Sequence, residues 1–161
     1  MTSADRPNEL DKTRLDYWTG LVSYMKQRNS PVIFHAPISK HQLRARAEVL
    51  GSGDFILVAL ATVRHGVRIG VGVEITNSKG YYPELEKDRS KIQNEIGYEP
   101  GEKQMFEWNP ESKVNDIWLY WEADFLKRQQ WLTQHEWLCD RLESFRTVMR
   151  PRIAELLRTA S

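Results

Sequence analysis

Residues 55–75, FILVALATVRHGVRIGVGVEI, constrain the fold more than any other stretch. The first half, FILVALATV, is apolar on both faces, as a strand in the interior of a sheet must be. In the second half Val67, Ile69, Val71, Val73 and Ile75 alternate with Arg68, Gly70, Gly72 and Glu74, the two-residue period of a strand, and His65-Gly66 supplies the turn between them. A two- or four-residue loop centred on His65-Gly66 sets Val63 opposite Arg68, Ala61 opposite Gly70, Ala59 opposite Gly72 and Leu57 opposite Glu74. In that register Ile56, Val58, Leu60 and Thr62 join Ile69, Val71, Val73 and Ile75 on the core face. The other face keeps a strip of Ala59, Ala61, Gly70 and Gly72. Strand glycines cost packing and backbone entropy, so the strip implies that something comes close to it. Either a helix of the same chain lies there, or a partner surface does.

The flanking sequence supplies the other layers. QLRARAEVL, residues 42–50, alternates Leu43, Ala45, Ala47 and Val49 with polar residues and reads as a half-exposed strand, followed by the turn Gly51-Ser52-Gly53-Asp54. Upstream, Leu15, Trp18, Val22 and Met25 recur at helical spacing, with Asn8 as N-cap and Asn29-Ser30-Pro31 as the stop. A second helix is expected from about Tyr82 to Ile96, opened by Pro83 and closed by Gly97. Strands follow at 105–108 and 116–122, separated by Asn109-Pro110-Glu111-Ser112. A long helix is expected from about Leu126 to Met149, its seam made by Trp131, His135, Leu138, Leu142, Phe145 and Met149, with Pro151 kinking or ending it. The expected fold class is α+β: residues 1–8 as a flexible N-terminus, and residues 9–158 as one domain with an antiparallel sheet of about five strands. Its order is helix, three strands, helix, two strands, long helix.

A chain of 161 residues that is 40% hydrophobic, with 6 Trp, 6 Tyr and 5 Phe, can bury a core without staples. The single cysteine, Cys139, cannot form an intrachain disulfide and reads as a small buried hydrophobe. No run is long enough to span a membrane and no signal-peptide core is present, so the expectation is a cytoplasmic protein with no membrane partner. A net charge of +1 excludes a uniformly basic nucleic-acid binder while leaving room for a basic face.

Reactive chemistry is sparse. The glycines of RIGVGV alternate within a strand and do not open a helix, so they make no nucleotide-binding loop. His35, His41, His65 and His135 have no partner at metal-ligand spacing, and neither a metal site nor a cofactor is expected. A metal-dependent nuclease of restriction-endonuclease type needs strand carboxylates and a nearby lysine. The only Glu-x-Lys, Glu111-Ser112-Lys113, falls in a turn. Glu74, with Asp54 as companion, is the weak catalytic candidate, Thr76 stands where the lysine should be, and Lys79 lies past the strand. Arg44 and Arg46 on one strand, with Arg64 and Arg68 at the hairpin, are the nucleic-acid candidates. Stacking would need exposed aromatics; Tyr81, Tyr82, Trp118 and Tyr120 are available, although core positions suit most of them better.

Several segments carry a resemblance: LDYWTGLVSYMKQRNSP, RIGVGVEI, KDRSKIQNEIGYE, WLYWEAD and WLTQHEWLCDRLESFRTVMRPRI. In this order, across roughly Arg14 to Leu157, the chain resembles the bacterial domain-of-unknown-function family 4268. Tyr17-Trp18, Arg68-Ile69-Gly70-Val71 and Arg150-Pro151-Arg152-Ile153 are the clearest marks. The resemblance implies a unit that stands alone or ends longer proteins, some with nuclease-like segments, in a setting of defence against foreign DNA. It carries no catalytic residues over. The family pattern runs from Arg-Ile-Gly directly into Val-Glu. Here Val71-Gly72-Val73-Glu74 holds an extra Gly-Val pair, implying a longer strand or a different register.

The functional expectation is a non-enzymatic interaction module, self-associating as a homodimer or binding a protein partner. The partner-binding candidates are Ala59, Ala61, Gly70 and Gly72. The alternatives are the nuclease built on Glu74 and Asp54, and a nucleic-acid-binding accessory domain using Arg44, Arg46, Arg64 and Arg68.

Overall fold

The computed structural model describes residues 9–34, 44–63, 66–76, 79–98, 103–110 and 114–160. Five strands form one antiparallel sheet in the order β1-β2-β3-β5-β4: β1 (Arg44–Val49), β2 (Phe55–Thr62), β3 (Arg68–Thr76), β4 (Gln104–Asn109) and β5 (Val114–Trp121). The α+β class and the element order are as the sequence predicts. β2, apolar on both faces, is an interior strand. Helix α4 (Trp131–Thr159) lies against β2 and β3, and α1 (Glu9–Gln27) and α3 (Arg89–Ile96) pack on α4. No helix among the described residues is long and apolar enough to cross a membrane.

Helix α1 stops as its sequence requires. Asn29 adopts φ 56°, and the Asn29 and Ser30 N–H groups donate to the Lys26 and Met25 carbonyls at 3.1 and 3.0 Å, closing the helix in a Schellman motif. Its buried side is Arg14, Tyr17, Trp18, Leu21 and Met25, whereas Leu15 is exposed. The expected N-cap, Asn8, lies outside the described residues. The helix expected from Tyr82 to Ile96 is two, α2 (Tyr81–Glu86) and α3, broken at Lys87-Asp88. The break lets Tyr81, Tyr82 and Leu85 face the core along one axis and Ile92 and Ile96 along another. The long helix starts at Trp131, after a 3-10 turn at Arg128–Gln130, and continues through Pro151. Met149 and Ile153, both fully buried, hold it in place on either side of the proline.

The largest correction concerns the hairpin. The observed pairs are Thr62↔Arg68, Ala61↔Ile69, Leu60↔Gly70, Ala59↔Val71, Val58↔Gly72, Leu57↔Val73 and Ile56↔Glu74. Residues 63–67 form an odd five-residue connection, one residue off the even loop that the sequence suggested. A one-residue slip turns one strand over relative to the other. Phe55, Leu57, Ala59 and Ala61 therefore join Ile69, Val71, Val73 and Ile75 under the helices, together with Ile117 and Leu119 of β5. Ala59 and Ala61 lie on the opposite face from Gly70 and Gly72, so the expected small-residue strip does not exist. Ile56, Val58, Leu60 and Thr62 share the glycines' face instead.

Candidate interaction surface

The second face of the sheet carries no helix among the described residues. Its apolar centre is Val58, Leu60, Trp118 and Tyr120, with Ile56 at the edge, all of them strand residues. The register explains how they are covered. The Thr76 N–H donates to the Asp54 carbonyl, which fixes the even residues of β3 as those bonded to β2. Toward β5, Gly70↔Tyr120 and Gly72↔Trp118 are therefore the non-hydrogen-bonded pairs, where backbones come closest. A Cβ on Gly72 would lie 2.6 Å from the Trp118 ring and 2.5 Å from the Ile117 carbonyl oxygen; one on Gly70 would lie 2.6 Å from the Tyr120 ring. The close approach that the glycines signalled is thus made by two aromatic side chains of the neighbouring strand, not by a helix. The two rings stack with centroids 5.6 Å apart and planes 10° from parallel. Tyr81, Tyr82, Trp118 and Tyr120 are all buried, leaving none as an exposed stacking platform.

Charged side chains are laid over this aromatic pair. The Arg68 guanidinium lies 3.6 Å from the Tyr120 ring centroid and bonds Glu107 at 3.2 Å; Arg44 lies 5.6 Å from the Trp118 centroid and bonds Glu74 at 3.3 Å. Burial pushes the Tyr120 phenol up to about 12, so it stays protonated. Three of the four nucleic-acid candidates can be placed. Arg44 and Arg68 are held by carboxylates of the same face, Arg46 is exposed on the edge strand, and Arg64 lies outside the described residues.

Asp54, in the turn just before β2, and Glu74, on β3, sit at the end of this face away from the hairpin, and each accepts from a cation. Arg44 holds Glu74, and Lys79, past the end of β3 as expected, reaches back to Asp54 at 3.2 Å. Asp116, across from Glu74 on β5, accepts a 2.6 Å bond from the Asn109 amide. Among the described residues no three His, Cys, Asp or Glu side chains gather to hold a metal ion. Glu111-Ser112-Lys113, His35, His41 and His65 lie outside the described residues. His135 is buried between α1 and α4, 4.7 Å from the Tyr17 ring, with Nε2 unpartnered among the described residues. Burial holds it down at about 4, against a hydrogen bond to the Tyr17 backbone that favours its charged form. Cys139 is buried as expected.

Sequence reasoning missed the cleft at the hairpin end of the helix-free face. About 370 Å³ in volume, it is lined by Gly66, Val67, Arg68, Lys103, Gln104, Met105, Tyr120 and Glu122. Val67 and Met105 are 45% and 52% exposed, a large fraction for apolar side chains. At the same end Arg68 Nε, Gln104 Oε1 and Thr62 Oγ1 are buried with no hydrogen-bond partner among the described residues. The available signal was Met105 and Val67 at strand termini, and only the register brings them together.

No curated protein and no solved structure matches this chain. A family model does: the one described as Domain of unknown function (DUF4268) matches residues 13–153, the segment that holds every element except the first turn of α1 and the last turns of α4. The chain belongs to that family.

Proposed function

We propose that this domain is a non-enzymatic interaction module that binds protein through the hairpin end of its helix-free sheet face, in the DNA-defence setting that the family resemblance implies. The observation that carries the reading is the composition of the cleft. Exposed Val67 and Met105 stand beside Tyr120 and Arg68, and Met, aromatic and Arg side chains are the types enriched at protein interfaces. Charge supports a protein over a nucleic acid. Across the face Arg44, Arg46 and Arg68 are balanced by Glu74, Glu107 and Asp116, and two of the three guanidiniums are already engaged by carboxylates. Phosphate binding draws on cations free to replace counterions.

The test is a photo-cross-linking amino acid placed at Met105 in the producing cell, with the same group at Leu132, the most exposed large apolar residue among the described residues, as control. A discrete protein adduct from position 105, a second copy of this chain included, is the expected result. No adduct beyond that of the control contradicts the reading. So does magnesium-dependent nucleic-acid cleavage that disappears in Glu74→Ala.

A further inference from the structure

The two edges of the sheet differ in a way that points to a specific partner. The backbone phase of β4 follows from one bond: the Glu122 N–H donates to the Lys103 carbonyl at 3.0 Å, and 103/122 is in register with the 105/120 and 107/118 pairs. Hydrogen-bonded pairs alternate in an antiparallel ladder. Met105, Glu107 and Asn109 therefore bond to β5, while the N–H and C=O groups of Gln104, Phe106 and Trp108 point outward. No described residue bonds these outward groups. The opposite edge, β1, is blunted by exposed Arg44 and Arg46 and by a register shift between Arg46 and Val49. Strand β4 has neither device: its register is regular over all six residues, it contains no lysine, arginine or proline, and its one charge, Glu107, is held by Arg68. On the inner side it is anchored. Phe106 packs edge-on against Tyr98, and Trp108 donates to the Gln93 side chain at 2.9 Å.

We infer that β4 pairs antiparallel with β4 of a second copy of this chain, joining the two sheets through a two-fold axis at Phe106. This rests on the interaction-module reading and names the partner. Three two-fold registers connect the outward groups of two or more residues of each strand; centring on Gln104 or on Trp108 bonds one residue of each. Centring on Met105 or on Glu107 bonds two residues of each strand, and the second sets Glu107 against its own copy. Centring on Phe106 bonds Gln104, Phe106 and Trp108 of both strands, about six backbone hydrogen bonds. It also sets Met105 opposite the partner's Glu107, so no like charges meet across the seam.

Light scattering and amide exchange across a concentration series test this on the full chain. The expected result is a dimer in which the Gln104, Phe106 and Trp108 amides slow as concentration rises, while those of Met105 and Glu107 are protected throughout. Met105→Glu sets carboxylates against each other across the seam, and dissociation is expected to rise at least tenfold. Met105→Lys meets Glu107 and keeps the dimer. Position 105 is half exposed, so both variants are expected to fold, which circular dichroism checks. A strict monomer, or freely exchanging 104, 106 and 108 amides in a folded dimer, overturns the inference, as does a dimer insensitive to Met105→Glu. Monomeric protein that still cross-links a different protein from position 105 ends the self-pairing and leaves the interaction module standing; loss of both ends the module as well.

Discussion

The two faces of this sheet bury themselves by different means. Under the helices, Leu57, Ile69, Val71, Val73, Ile117 and Leu119 meet α4 and its neighbours as aliphatic side chains, with small Ala59 and Ala61 beneath. On the other face, strand β5 lays Trp118 and Tyr120 sideways over the bare backbone of Gly70 and Gly72, and two guanidiniums cover the rings. The first face hides behind a separate element. The second is covered from within the sheet at its centre, and large apolar side chains stay in solvent toward its ends: Val67 and Met105 at the hairpin end, Val49 and Val114 at the other. Closing a face with rings on glycine leaves the cleft at its hairpin end uncovered, where a helix laid across the face would have filled it.

That contrast can be broken from either side. The largest effect is expected from Trp118→Ala, which removes the fully buried cover of Gly72 and should cost about 3–5 kcal/mol in chemical denaturation. A loss below about 1 kcal/mol would mean that the ring is not the lid. Acid is expected to act on the helix side. His135 is held neutral by burial, with its folded value about 4 against an unfolded 6.5. Its contribution is therefore complete above pH 6.5 and is lost as pH falls from 6.5 toward 4, at most about 3 kcal/mol. Stability that stays flat across that window contradicts the buried neutral imidazole.

Gly72→Ala sharpens the comparison at a smaller scale. The added methyl meets both the Trp118 ring and the Ile117 carbonyl oxygen and should cost about 1–3 kcal/mol. The same change at Gly53, where nothing lies within 4 Å, should be far milder. The smallest effect belongs to Arg44→Ala. The Arg44–Glu74 pair is about half exposed on the arginine side, so its loss should stay within about 1 kcal/mol. A larger loss would mean that the guanidinium is a structural part of the aromatic stack.

Elements were easier to read from the sequence than faces. Alternation in RARAEV and RIGVGVEI, the Asn29-Ser30-Pro31 stop and the seam through His135, Leu138, Leu142 and Phe145 each depend on neighbours within a few residues, and each appears where expected. The hairpin register did not, because β2 is apolar on both faces and so carries no phase, leaving the decision to a loop whose length was assumed even. The glycines correctly signalled a close approach. Its source, Trp118 and Tyr120, lies on a strand far along the chain, and strand order cannot be read from local pattern. The cleft and the outer position of β4 were hidden for the same reason, since both exist only once β4 takes its place beyond β5.

Nuclear magnetic resonance of the two strand glycines tests the arrangement most directly. If the rings lie on β3, the Gly70 and Gly72 Hα protons are shifted upfield by the Tyr120 and Trp118 ring currents. Gly72 then shows cross-relaxation to the indole, and its shift disappears in Trp118→Leu. Glycine Hα resonances at ordinary positions, with cross-strand contacts to the Ala59 and Ala61 methyls on the same face, would restore the slipped register and remove the basis for the surface described above.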